Sequence, residues 1–96
     1  MPTNELRPEF LRDYAQLTPE QQLAFRAMVA KFVVDLRTGT FRAGLRIKGV
    51  QGHAGVYEVT WAPDGRATFE YGDPVQPGER HVIWRRIGSH DIFDEP

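Results

Sequence analysis

Val56-Tyr57-Glu58-Val59-Thr60-Trp61-Ala62-Pro63-Asp64-Gly65-Arg66-Ala67-Thr68-Phe69-Glu70-Tyr71 is the stretch that decides the fold. Polar and apolar side chains alternate on both sides of Ala62-Pro63-Asp64-Gly65, which is the period of an extended strand with one buried face. Pro63 presets the first turn torsion, Asp64 suits the second corner, and Gly65 can take the left-handed conformation of a three-residue loop. The spacing therefore predicts a hairpin in which Ala62 faces Arg66. It sends Glu58, Thr60, Arg66, Thr68 and Glu70 to one face and Val59, Trp61, Phe69 and Tyr71 to the other.

The same alternation extends outward. Leu45 and Ile47 alternate with Arg46 and Lys48, which predicts a strand over Leu45 to Val50. A last strand over His81 to Ile87 follows the Pro/Gly-rich stretch Asp73 to Glu79, a loop expected to be mobile. Upstream the period lengthens to about 3.6. Phe10, Leu11, Tyr14 and Leu17 recur at helical spacing and predict a helix over Pro8 to Gln16. Thr18-Pro19-Glu20-Gln21 is a helix start, with Thr18 as cap, Pro19 at the first helical position and Gln21 completing a capping box. Leu23, Ala27, Met28, Val29, Phe32, Val33 and Leu36 then form an apolar stripe that leaves out Arg26 and Lys31, and Gly39 supplies the stop. This order predicts an α+β fold: an N-terminal helical hairpin packed on one face of a four-stranded antiparallel sheet, or five-stranded if Thr3 to Arg7 joins it, with the other face wet.

A chain of 96 residues with 41% apolar content closes one core, so 1–96 reads as a single domain. Without cysteine there is no disulfide, thiolate nucleophile or Cys-based zinc site, and His53, His81 and His90 are too scattered for a helical ligand pair. Neither a metal nor another cofactor is expected. Glu5, Arg7 and Glu9 stand where a signal peptide needs an apolar run, and nothing approaches the roughly 20 apolar residues of a membrane span. A cytoplasmic protein with no membrane partner is the expectation. The formal charge of −1 argues against a generic nucleic-acid coat. Its distribution is uneven, however: Arg37, Arg42, Arg46 and Lys48 precede Tyr57 with no acid among them, and Arg80, His81, Arg85, Arg86 and His90 gather near the end.

Arg46, Lys48, Glu58, Thr60 and Arg66 would thus share an open sheet surface. Attack of an RNA 2′-hydroxyl on the adjacent phosphate needs a base, cations around the phosphorane oxygens and an acid for the leaving oxygen. Glu58 fits the base, Arg66 and Lys48 the cations, and His90 the acid, with Asp91 as a neighbour able to orient its ring. The plainer reading is an ordinary solvated strand face in which Glu58 only pairs with a nearby cation. By the same reasoning His53 and His81 are surface or loop residues, while Trp61 and Trp84 belong to the core unless Trp84 stacks on a base.

Gly44-Leu45-Arg46-Ile47-Lys48, Gly55-Val56-Tyr57-Glu58-Val59, Gly65-Arg66-Ala67-Thr68-Phe69 and Arg86-Ile87-Gly88-Ser89-His90-Asp91 resemble, in order and spacing, the RelE/ParE toxin superfamily of type II toxin-antitoxin systems. The resemblance spans nearly the whole chain. It implies a compact toxin neutralised by an antitoxin tail, with many relatives cleaving messenger RNA in the ribosomal A site. On that pattern Arg66 matches the phosphate-stabilising arginine and His90 the terminal histidine or arginine, so Arg66, His90 and Glu58 are the catalytic candidates. Arg46, Lys48, Arg85 and Arg86 are the RNA-binding candidates. Two positions depart from it: Glu58 and Thr60 stand where some members have lysines, and Phe93 where several nucleolytic members have a tyrosine. The alternatives are a ParE-like inhibitor that occupies DNA gyrase without catalysis, and a non-toxic binding relative.

Overall fold

The computed structural model describes residues 2–96. In chain order they form β1 (Thr3–Leu6), α1 (Pro8–Ala15), α2 (Pro19–Thr38), β2 (Lys48–Gly49), β3 (Val56–Ala62), β4 (Gly65–Gly72) and β5 (His81–Gly88), with short 3-10 turns at Ala43–Leu45 and His90–Asp94. The strands make one sheet in the order β1-β5-β4-β3-β2. β1 runs parallel to β5 and the other pairs are antiparallel, so the sheet is mixed and five-stranded rather than antiparallel. β1 closes the edge of β5 that the β3–β4 hairpin leaves open. A side-chain link reinforces it: His81 Nδ1 lies 2.7 Å from Thr3 Oγ1 and its Nε2 2.8 Å from Glu5 Oε1. His81, expected at the surface, is therefore a buried tie between two strands. Beyond Trp84 the helix α1 takes over this edge, where Asp13 accepts the Ile87 N–H at 3.1 Å and Arg86 Nε at 2.6 Å. An edge amide that would otherwise lack a strand partner is thereby satisfied.

Both expected hydrogen bonds of the capping box are present at α2, with Gln21 N–H donating to Thr18 Oγ1 at 3.2 Å and Thr18 N–H to Gln21 Oε1 at 2.8 Å. Gly39 ends the helix at φ +83°, a conformation that favours glycine. The buried stripe is Phe25, Met28, Phe32 and Leu36, while Leu23 is 64% exposed. Two residues advance the helix by about 200°, so burying Phe25 turns Leu23 to solvent. α1 leans on β5 and α2 on β3, and the helices meet through Phe10, Tyr14 and Phe25. At the centre sits Trp84, with the rings of Phe10, Phe25, Phe32 and Phe69 between 5.3 and 6.1 Å from it.

Two local readings are corrected. The stretch Leu45 to Val50 is not one strand: Ala43–Leu45 turns, Arg46 takes a left-handed φ of +52°, and only Lys48–Gly49 pairs with β3. Leu45 is 3% exposed, and its burial beneath the turn outweighs the alternating pattern. The hairpin loop has two residues, since Ala62 pairs with Gly65, and a bulge at Trp61 then sets Thr60, rather than the expected Ala62, opposite Arg66. Gly65 serves close approach rather than left-handed backbone: a Cβ there would lie 2.6 Å from the Trp61 indole. The faces predicted for this hairpin hold, because the shorter loop and the bulge together move the register by two residues, and an even shift keeps each side chain on its face.

The chain leaves α2 under the control of one acid. Asp35, 6% exposed, accepts the Arg42 main-chain N–H at 2.9 Å, Arg42 Nε at 2.7 Å and Nη2 at 2.8 Å. The side-chain hydrogen bonds from Arg42, then its main-chain one, hold the Asp35 carboxyl down at about 2. A depressed folded-state value contributes stability that is full above the usual carboxylate range and is lost as pH falls toward 2. We expect the urea midpoint of the wild type to drop more steeply between about pH 5 and pH 2 than that of Asp35→Asn, which has nothing to protonate there. Parallel pH profiles would refute this assignment.

Candidate active site at the β3–β4 turn

The sheet face away from α2 is built in rows. Lys48, Glu58, Thr68 and Arg86 stand opposite one another across β2, β3, β4 and β5, and Thr60, Arg66 and Gly88 form the next row toward the turn. Arg66 and Glu58 are thus diagonal neighbours on one surface, a separation of about 7–8 Å. The Arg66 guanidinium folds back on its own turn, with Nη1 2.9 Å from Gly65 O and 3.3 Å from both Ala62 O and Pro63 O. No described carboxylate pairs with it. These carbonyls fix the planar group in place while leaving its charge uncompensated, the arrangement a phosphate anchor needs.

His90 comes to the same end of the sheet on the 3-10 turn after β5. Ser89 caps that turn by accepting the Asp91 N–H at 3.2 Å, and Gly88 is small enough for Ile92 to close against it. His90 Nδ1 lies 3.0 Å from Asp64 Oδ1, and its ring meets Phe93 edge-on at 5.7 Å. The partner that orients the ring is therefore Asp64 at the hairpin corner, and not Asp91. With Nδ1 engaged by a carboxylate, Nε2 is the nitrogen left to meet a substrate. Sequence reading used Asp64 only as a turn former. Its signal was the position itself, since a carboxylate at a hairpin corner beside the arginine is exposed and has no local structural partner it requires.

Other candidates are placed differently. Lys48 Nζ is 3.9 Å from Glu58 Oε1, a loose pair whose lysine is 69% exposed. Arg46 is exposed on the turn before β2. Arg85 and Arg86 project together because β5 is bulged between the partners of Thr68 and Phe69. They are not available cations: Arg85 Nη1 pairs with Glu70 at 3.1 Å, Arg86 pairs with Asp13, and the main-chain oxygens of Pro96 and Glu95 accept from them. Glu70 also binds Arg7 at 3.0 Å. The expectation of a wholly wet face thus fails in its middle, where Thr68 is 0% exposed and its Oγ1 accepts the Arg86 N–H at 3.1 Å. His53 stays in an exposed loop. Among the described residues no group of three or more His, Asp or Glu side chains is placed to hold a metal ion, and no helix is long and apolar enough to cross a membrane.

Two helices and a mixed five-stranded sheet with a parallel first strand make up the fold of the RelE/ParE-type toxins. Solved structures with this fold match over almost the entire chain. The YafQ toxin in the Escherichia coli DinJ-YafQ complex is 14% identical, covers 95% of this chain and 96% of its own, and superposes with a TM-score of 0.67. RelE of the RelB-RelE antitoxin-toxin complex from Methanococcus jannaschii is 16% identical over 95% of this chain and 98% of its own, with a TM-score of 0.62. A YoeB/ParE toxin from Agrobacterium tumefaciens is 11% identical over 92% and 98%, with a TM-score of 0.67. No family model and no curated protein matches the sequence.

Proposed function

We propose that this chain is the toxin of a type II toxin-antitoxin module and cleaves messenger RNA bound in the ribosome. The observation that carries the reading is the joining of Arg66, Asp64 and His90 at one hairpin end: an anchored, uncompensated guanidinium beside a carboxylate-oriented imidazole. In the reaction the RNA 2′-oxygen bonds to the adjacent phosphorus while the bond to the 5′-oxygen breaks, leaving a 2′,3′-cyclic phosphate. Glu58 takes the 2′-hydroxyl proton. Arg66 and Lys48 hold the equatorial oxygens, and His90, through Nε2, gives a proton to the departing 5′-oxygen. Arg46 extends the basic surface along the RNA backbone, whereas Arg85 and Arg86 support the sheet instead of the substrate. Phe93 packs on His90 and gives no proton, so the acid's role falls to the histidine alone.

The partners of this reading are the ribosome with its mRNA and a cognate antitoxin, a class of partner present with two of the similar toxins. Primer extension on cellular mRNA after brief induction tests it. Cleavage between codon positions is expected with the wild-type chain, and we expect Arg66→Ala to lower the yield by about 10²–10³-fold. Cleavage undiminished in Arg66→Ala would defeat the assignment. The ParE-like reading, occupation of DNA gyrase without catalysis, gains from one observation: the pairing of Arg85 and Arg86 removes two cations from any RNA track. Induction of a DNA-damage response with intact mRNA would decide for it.

A further inference from the structure

His90 belongs to the segment 89–96, which has little of its own to hold it. Its 3-10 turn, His90–Asp94, is five residues long, and short turns of this kind do not stand alone. The link from the ring to Asp64 joins side chains 58% and 78% exposed, and exposed pairs contribute little. The anchoring comes from two other places. Ile92, 4% exposed, packs against Gly88. Beyond it, Arg85 Nε and Nη2 donate to the Pro96 main-chain oxygen at 3.3 and 3.1 Å, and Arg86 Nη1 donates to that of Glu95 at 3.0 Å. Each guanidinium is itself held from another side. Arg85 Nη1 donates to Glu70 Oε1 at 3.1 Å, and Arg86 Nε and Nη2 donate to Asp13 of α1 at 2.6 and 3.2 Å.

We propose that Arg85 and Arg86 are positioning residues: a two-armed clamp that fixes the segment 89–96, and with it the His90 ring, at the β3–β4 turn. Nε, Nη1 and Nη2 of both guanidiniums are engaged within the protein, so a phosphate could reach them only by displacing a carboxylate or a main-chain oxygen. The geometry also asks for arginine in particular. A planar fork reaches a carboxylate from one edge and a carbonyl from another, whereas a lysine ammonium is a point charge that cannot span the two. The consequence for cleavage rests on the reading of His90 as the acid: a proton donor works only within hydrogen-bond reach of its acceptor, and a displacement of about 1 Å from a remote change can cost about 10²-fold. The clamp itself does not rest on that reading, since its partners are Asp13, Glu70 and the main chain.

The test compares Arg86→Ala, Arg86→Lys and Arg85→Ala with the wild type in the full chain. Lysine restores a charge for a phosphate but not the fork, so Arg86→Lys separates an RNA contact from a clamp. Two readouts need no RNA. The Glu95 N–H, which donates to Ile92 O at 3.1 Å, should exchange with D2O at least about tenfold faster in all three variants, and the His90 Cε1–H resonance should move. Single-turnover cleavage on programmed ribosomes should fall by about 10- to 100-fold in Arg86→Ala and Arg86→Lys alike, with KM held within about twofold. Far-UV CD and the urea midpoint confirm that each variant is folded, and if Arg86→Ala is not, the other two carry the test. Unaltered Glu95 exchange with an unmoved His90 resonance would overturn the inference. So would wild-type cleavage by Arg86→Lys beside a raised KM in Arg86→Ala, which would return Arg86 to an RNA track. A wild-type chain that cleaves no mRNA would sink the toxin reading alone, because exchange and the ring resonance still decide whether the clamp holds His90.

Discussion

His90→Ala should lower the mRNA cleavage rate by about 10²–10⁴-fold, the range expected when a positioned acid is removed from a proton-transfer step. The side chain is 58% exposed and is held by Asp64 and by an edge-on contact with Phe93, so the fold should survive its loss with little change in urea midpoint. That separates a chemical role from a structural one. Asp64→Asn keeps the turn and a hydrogen-bonding partner but loses the carboxylate, and should cost less, about tenfold, because the imidazole remains and only its orientation suffers. Single-turnover cleavage on programmed ribosomes measures both. Equal losses for the two variants would make the pair a unit that acts together, whereas wild-type cleavage by His90→Ala would remove the acid from the mechanism.

The hairpin faces were readable in the sequence because alternation and burial agree there: every second residue from Tyr57 to Tyr71 meets either α2 or the outer face, and a one-residue error in loop length became, with the bulge at Trp61, an even shift of register. Helix α2 was readable for a similar reason, since its cap and stop are local chemistry within a few residues. What local pattern could not reveal was any contact made across the chain. β1 reaches β5 from 78 residues away through Thr3 and His81. Arg85 and Arg86 look like free cations until Asp13 and Glu70 are brought to them from other elements. At the site Arg66 and His90 were visible as residue types in a familiar order, while Asp64 was not, because its partner lies 26 positions away. Leu45 to Val50 misled for another reason, since six alternating residues carry no information about a buried turn.

The largest effect on the fold is expected from Trp84→Ala, a loss of about 3–5 kcal/mol, as for other large aromatic truncations in well-packed cores. Trp84 is 2% exposed and touches rings from α1, α2 and β4, so its removal leaves a cavity bordered by elements that cannot all move inward together. A domain of this size has a total stability of only about 5–15 kcal/mol, which puts the variant near its unfolding threshold at 37 °C. Trp61→Phe is the contrast. That ring lies at the rim of the core with its Nε1 unmatched, and exchanging it removes a donor that has no acceptor, so its urea midpoint should move little. The two tryptophans, alike in the sequence, would thereby separate into one that holds the layers together and one at the rim whose exchange the core tolerates. A Trp84→Ala loss below about 1.5 kcal/mol would mean that the aromatic cluster is not the centre of the core.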